Sequence, residues 1–115
     1  MVVGIGVDLV DVTRFEEHVA KTPKLLERLF VAAELDAPTK TIAGRFAAKE
    51  ALIKALGGSD GVAWHEIEIT KNLAGKPEIV TSGQTAKTIL EAGISSLQLS
   101  ISHDAGMAIA MVVAE

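Results

Sequence analysis

Glu50 and Lys54 stand one helical turn apart in the run Arg45-Phe46-Ala47-Ala48-Lys49-Glu50-Ala51-Leu52-Ile53-Lys54, a carboxylate before an ammonium at the spacing that lets two side chains meet. On a helical wheel of about 100° per residue, Ile42, Phe46, Leu52, Ile53 and Leu56 fill one arc. Ala43, Gly44, Ala47, Ala48, Ala51 and Ala55 fill the arc opposite. A helix with this pattern has no solvated face and packs on both sides. Glu50 and Lys54 lie at one boundary between the arcs, Arg45 and Lys49 near the other. On a solvated helix the Glu50–Lys54 pair would be an ordinary surface contact. In a buried one, three cations and one anion cannot satisfy each other, and a phosphorylated ligand would supply the missing anion.

Asp8 adds a second carboxylate. It interrupts an apolar, strand-like run from Val2 to Val10, where an acid is either a strand-end cap or a ligand. Asp8 and Glu50 with phosphate oxygens and water match the coordination magnesium prefers, and lysines alongside would neutralise the remaining phosphate charge. His103 and Asp104 follow the alternating Ser100-Ile101-Ser102. They read either as a surface turn in which Asp104 caps its own backbone or as a polar pair facing the same ligand. His18, on the exposed side of a helix, and His65, within a strand, read as structural, and Trp64 as core or interface. Gly4-x-Gly6 lacks the third glycine and following helix of a dinucleotide fingerprint.

The elements that must position these groups follow from periodicity. Val2 to Val10 reads as a strand with Gly4, Gly6 and Asp8 on one face. Thr13-Arg14-Phe15-Glu16 has capping-box spacing and opens a helix to about Lys21. Thr22-Pro23 starts a second helix running through Phe30. Asp36-Ala37-Pro38 is a turn, and the long helix runs from Thr39 to Gly57-Gly58. The period then changes to alternation: Trp64 to Thr70 and Glu78 to Thr81 read as strands joined by Asn72-Leu73-Ala74-Gly75-Lys76-Pro77. Ser82 caps a fourth helix ending at Gly93. Leu97 to Ser102 and Met107 to Ala114 close the chain as a hairpin. Met107 to Val113 is apolar at every position, which predicts burial on both faces. Helices early and hairpins late indicate an α+β fold with a mostly antiparallel sheet packed on a long buried helix.

Composition bounds the function. The 115 residues, with no interdomain linker, make one domain, 1–115. Hydrophobic residues make up 49% and the mean hydropathy is +0.35. A chain this small has little interior, so some apolar surface is expected to be covered by another copy. A net charge of -4 argues against a nucleic-acid partner. The absence of cysteine excludes thiolate chemistry and fits a reducing cytoplasm. The N-terminal run has no positive leader before it, unlike a signal peptide, and no apolar stretch has the roughly 18 residues that span a bilayer.

Gly4-Ile5-Gly6-Val7-Asp8-Leu9-Val10, Arg14-Phe15, Arg45-Phe46-Ala47-Ala48-Lys49-Glu50-Ala51, Lys54-Ala55-Leu56-Gly57, Gly75-Lys76-Pro77 and Ser100-Ile101-Ser102-His103-Asp104 together resemble the holo-acyl-carrier-protein synthase family, small trimeric 4'-phosphopantetheinyl transferases, over essentially the whole chain. The resemblance implies that family's fold and its reaction: coenzyme A and an apo acyl carrier protein give the holo carrier and adenosine 3',5'-bisphosphate. It implies Mg2+ held by Asp8 and Glu50, with Lys54, Arg45 and Lys49 on phosphates. Lys76, Pro77 and His103 would lie along the adenosine end of coenzyme A. It implies Glu50, Lys54, His103 and Asp104 as the catalytic set. Arg14 on the first helix would dock the carrier, and the active sites would form between subunits of a homotrimer. The serine proton could pass to Glu50, to a water on the metal or to Asp104.

The segment between Phe30 and Arg45 is shorter than in many relatives, and Val31-Ala32-Ala33-Glu34 is less polar. The first two helices mix Arg14, Lys21, Lys24 and Arg28 with Glu16, Glu17 and Glu27, a less basic docking face than an acidic partner invites. The carrier is therefore either a free protein or a domain of a larger synthase. Two other functions fit the residues: a magnesium-dependent pyrophosphate hydrolase, which would turn over coenzyme A without a carrier, and a non-enzymatic module that holds coenzyme A or a carrier domain.

Overall fold

A computed structural model describes residues 1–115. In chain order, β1 (Gly4–Asp11) leads into α1 (Val12–Lys21) and α2 (Leu25–Leu29), then a 3-10 turn at Ala32–Leu35 and the long α3 (Thr39–Ala55). A second 3-10 turn, Trp64–Glu66, precedes β2 (Ile67–Lys71) and β3 (Pro77–Thr81), and α4 (Gly83–Glu91), β4 (Leu97–Asp104) and β5 (Met107–Ala114) follow. The fold is α+β, and every strand pairing is antiparallel. There are two sheets: β1-β5-β4, with β5 central, and the β2-β3 hairpin.

α3 and the larger sheet meet almost backbone to backbone. A methyl group at Gly6 would lie 1.8 Å from the Ala51 carbonyl oxygen, and one at Gly4 2.0 Å from that of Ala55. The small arc of α3 supplies the matching surface, with Ala43, Ala47, Ala48 and Ala51 fully buried. β5 offers Ala108, Ala110, Val112 and Ala114 on its inner face, all buried. Small residues on both partners permit this approach, and the dispersion gained scales with the closeness of packing. The other flank of α3 carries Ile42 and Leu52 into the core with Phe15, Phe30, Ile67 and Ile69.

The outer face of the same sheet is different. Ile5, Val7 and Leu9 of β1 are 63%, 52% and 60% exposed, and Ile109 and Met111 of β5 are exposed beside them. The register places Val7 opposite Met111 and Leu9 opposite Ile109, so these side chains form one apolar patch. The double-sided burial that the sequence predicts for β5 is thus met on one face only within a single chain.

Local differences have local causes. Asp11, not Thr13, caps α1 by accepting from the Arg14 N–H at 3.1 Å. Thr22 serves the end of α1, where its N–H donates to the His18 carbonyl, so α2 starts only at Leu25. Trp64 to Glu66 form a 3-10 turn instead of opening the strand. Ser82 holds the cap position of α4 without a side-chain bond. The capping is done by Glu66, whose carboxylate accepts from the Gln84 and Thr85 N–H groups and the Thr85 hydroxyl. These bonds hold the Glu66 carboxyl below the usual glutamate range.

The β4–β5 turn contains the one non-glycine residue with positive φ, Ala105 at 51°, followed by Gly106 at 75°. Two left-handed residues are what a tight type I' hairpin demands, and asparagine enters that region more readily than alanine. Ala105→Asn should therefore stabilise the protein by about 0.5–1 kcal/mol, read as a rise in melting temperature. An unchanged or lower melting temperature would mean that the turn carries no such strain.

Candidate functional site

The inward face of β1 carries Gly4, Gly6 and then Asp8. The glycines bring the strand against α3, and two residues later Asp8 reaches the helix flank that bears Glu50 and Lys54. Lys54 Nζ donates to Asp8 Oδ1 at 3.0 Å and to the Val7 carbonyl at 3.0 Å. Asp8 and Glu50 line one cleft of about 470 Å3, together with Arg14, Phe15 and His18 of α1, Phe46 of α3 and Met107 of β5. Burial pushes the Glu50 carboxyl up from the ordinary glutamate value, the nearby Asp8 charge pushes it further, and Lys54 partly opposes both.

Two adjoining carboxylates, in one of which burial and the neighbouring charge disfavour the ionised form, are a donor pair that a cation would relieve. Asp11 and His18 border the same cleft, but no three acids or histidines gather closely enough to hold a metal by themselves. That set is too sparse for a protein-only cage and suits magnesium, which is commonly held by one or two carboxylates while substrate phosphates complete its shell.

A second cleft, of about 280 Å3, lies on the other flank of α3 and shares no residue with the first. Its helix wall is Lys40, Thr41 and Arg45, its hairpin wall Ile69, Thr70, Lys71, Gly75 and Pro77, and β4 closes it with Ile101 and His103. His103 Nε2 bonds the Lys40 carbonyl at 2.9 Å. The imidazole packs so close to α3 that a methyl on Gly44 would lie 2.9 Å from Nε2, which explains the glycine in the middle of the helix. Three cationic side chains around a small concave site suit a phosphate-bearing ligand. Of these cations, sequence reasoning finds only Arg45. Lys40 and Lys71 come together through the pairing of the hairpin with the helix, which no local spacing reveals.

Lys49 requires a correction. The sequence places it on the ligand's phosphates, but the structure buries it completely inside its own chain. Its ammonium contacts Glu34 Oε1 at 2.7 Å, the Leu29 carbonyl at 2.7 Å and the Trp64 carbonyl at 3.2 Å. It also lies 4.7 Å from the centroid of the Phe30 ring. Burial lowers its proton affinity and the bond to Glu34 opposes that shift. The anion that Lys49 needs is therefore a protein carboxylate. Glu34 carries one signal in the sequence, a lone acid in an apolar stretch, but no spacing connects it to Lys49.

The remaining candidates scatter. Lys76 is exposed on the β2–β3 turn and donates to Gln98 at 3.3 Å, while its neighbours Gly75 and Pro77 line the second cleft. Asp104 is exposed at the end of β4 and lines neither cleft. Arg14 borders the carboxylate cleft, and so does His18, which sequence reasoning had set aside. His65 bonds the Glu27 carbonyl, a structural role. Trp64 stacks on Phe46 at 6.1 Å, both rings half-buried against the core.

Residues 4–111 match the model of the 4'-phosphopantetheinyl transferase superfamily. A holo-[acyl-carrier-protein] synthase of Leifsonia xyli subsp. xyli is 51% identical over 115 residues, covering 100% of this chain and 98% of its own length. The crystal structure of holo-[acyl-carrier-protein] synthase from Neisseria meningitidis superposes with a TM-score of 0.93 at 35% identity, covering 100% of this chain and 99% of that one. That of Helicobacter pylori holo-[acyl-carrier-protein] synthase, in complex with coenzyme A, gives a TM-score of 0.85 at 38% identity over 96% of this chain and 99% of the other.

Proposed function

This chain belongs to the 4'-phosphopantetheinyl transferase superfamily, as a transferase of the holo-[acyl-carrier-protein] synthase type, and on that premise we propose its reaction in full. It moves the 4'-phosphopantetheine group of coenzyme A onto a serine of an apo acyl carrier protein and releases adenosine 3',5'-bisphosphate, with Mg2+ required. The observation that carries this reading is the cleft lined by Asp8 and Glu50, with Lys54 bonded to Asp8 beside it.

Asp8 and Glu50 would hold the magnesium, which supplies charge neutralisation and polarisation at the reacting phosphate. Lys54 already stands against Asp8 and is placed to neutralise a further phosphate oxygen. Phosphoryl transfer demands positioning and charge stabilisation more than covalent chemistry from the protein, and these three side chains supply both. Glu50, whose carboxyl is raised above an ordinary glutamate by burial and by the Asp8 charge, is assigned to receive the serine proton. Arg14 and His18 rim the cleft from α1 and face the incoming carrier. Arg45, Pro77 and His103 receive the nucleotide end in the second cleft.

Because the two clefts lie on opposite flanks of α3, one coenzyme A engages the carboxylates of one subunit and the basic cleft of its neighbour in a homotrimer. The apolar outer face of β1 and β5 supports that assembly. Ile5→Glu should convert an oligomer into a monomer in sedimentation and abolish transfer at assay concentrations. A wild-type protein that sediments as a monomer would overturn the shared site.

Asp8→Asn should lower kcat/KM by about 10²-fold, with part of the loss recovered at raised magnesium. Full activity at ordinary magnesium would remove Asp8 from the metal site. Release of adenosine 3',5'-bisphosphate should require an apo carrier, whereas release from coenzyme A alone would favour a hydrolase.

A further inference from the structure

Glu34 lines neither cleft, yet it is the buried acid of the chain, 1% exposed, and both its carboxylate oxygens and its carbonyl are hydrogen-bonded. Oε1 accepts from Lys49 Nζ at 2.7 Å and from the Val31 N–H at 3.0 Å. Oε2 accepts from the Ile69 N–H at 3.0 Å. Its main-chain carbonyl accepts from Arg45 Nη1. Two of these partners, Arg45 and Ile69, lie on different walls of the basic cleft, one on α3 and the other on β2.

We propose that Glu34 is a positioning residue for coenzyme A: it ties the helix wall of the basic cleft to the hairpin wall and holds the Arg45 guanidinium in place. This rests on the reading above that the cleft takes the nucleotide end of coenzyme A.

The physical basis is the rigidity of the knot. The bond from Val31 N–H to the Glu34 carboxylate closes the 3-10 turn on itself, so the carbonyl that receives Arg45 sits on a backbone with little freedom. Lys49 anchors the same carboxylate to α3 one turn beyond Arg45 and is itself anchored to Leu29 and Trp64. Arg45 thereby spends one N–H on a fixed carbonyl and keeps the rest of its five donors for a ligand. A guanidinium restrained in this way loses less rotamer freedom when it meets a phosphate, which favours binding. The carboxylate's other oxygen fixes the strand segment from which Thr70 and Lys71 enter the same cleft.

The test is steady-state kinetics on Glu34→Gln, Arg45→Lys and the double variant, varying coenzyme A and carrier separately. Glu34→Gln should raise the KM for coenzyme A about tenfold, leaving kcat and the KM for the carrier within about twofold of wild type. Arg45→Lys should raise the same KM, and the double variant should be no worse than the poorer single, because both remove one arrangement. Effects that multiply in the double variant, or a Glu34→Gln loss confined to kcat in step with the folded fraction, would overturn the positioning role. An Arg45→Lys variant with unchanged KM for coenzyme A would instead overturn the assignment of the cleft.

If Glu34→Gln fails to fold, Glu34→Met/Lys49→Met replaces the buried pair by apolar side chains, a change that is often neutral or stabilising. The raised KM for coenzyme A should persist in that folded protein, and a wild-type KM would make the pair purely structural.

Discussion

Replacing Glu50 with glutamine should cripple transfer and, at neutral pH, raise the melting temperature of the free protein. The two effects have one cause. The Glu50 carboxyl is raised first by burial and then by the Asp8 charge, with Lys54 offsetting part of the shift. A carboxylate whose folded-state value lies above its unfolded one binds more protons in the native state, so stability falls as pH rises through the interval between the two values. Above the folded-state value that penalty is fully present, and the neutral amide removes it. The gain in melting temperature should shrink on acidification and vanish below the unfolded glutamate value of about 4.3. Transfer should meanwhile fall by about 10²–10³-fold or more, the scale for losing a charge-stabilising group at a reacting phosphate. Magnesium should raise the melting temperature of the wild type and not of the variant. A variant that melts lower than wild type at pH 7 would show that Glu50 is a structural acid.

Gly6→Ala should cost on the order of 3 kcal/mol or more, beyond the usual range for an overpacked site. The added carbon would stand 1.8 Å from the Ala51 carbonyl oxygen and 2.7 Å from the Ala55 nitrogen. Both are backbone atoms of α3, so no side-chain rotation relieves the clash and the strand must leave the helix. Domains of this size have only about 5–15 kcal/mol in hand, so the melting temperature should drop by about 10 °C or more. Asp8 lies two residues further along the same face, so any variant that still folds should also lose activity. Gly57→Ala is the control: its φ is +84°, but nothing lies within 4 Å of the added methyl, leaving only the left-handed backbone cost of about 1 kcal/mol. If the two variants melted alike, the close strand–helix approach would not be the source of the constraint.

These cases show what a sequence exposes. The small arc of α3 and the Gly4-Gly6-Asp8 face are both visible as periodicity, and each predicts that the other must exist. The packing of β1 on α3 brings them together. The acid pair is legible for the same reason, since Asp8 and Glu50 are unusual in their own segments. Lys49 misleads because its partner, Glu34, lies 15 residues away behind a 3-10 turn that no periodicity announces. The basic cleft is harder still. Lys40, Lys71 and His103 come from a helix, a hairpin and a strand of the other sheet, and tertiary pairing alone makes them neighbours. Local interactions write caps, periods and turns into sequence, whereas a site assembled by several elements is recorded only in the fold.

The central claim is tested most directly by incubating the protein with magnesium, coenzyme A and apo acyl carrier proteins, free and as synthase domains, and weighing the carriers by mass spectrometry. At least one carrier should gain the mass of a single 4'-phosphopantetheine group on a serine, and none should with Glu50→Gln at the same enzyme concentration. Carriers that all keep their apo mass with the wild-type protein would contradict the account.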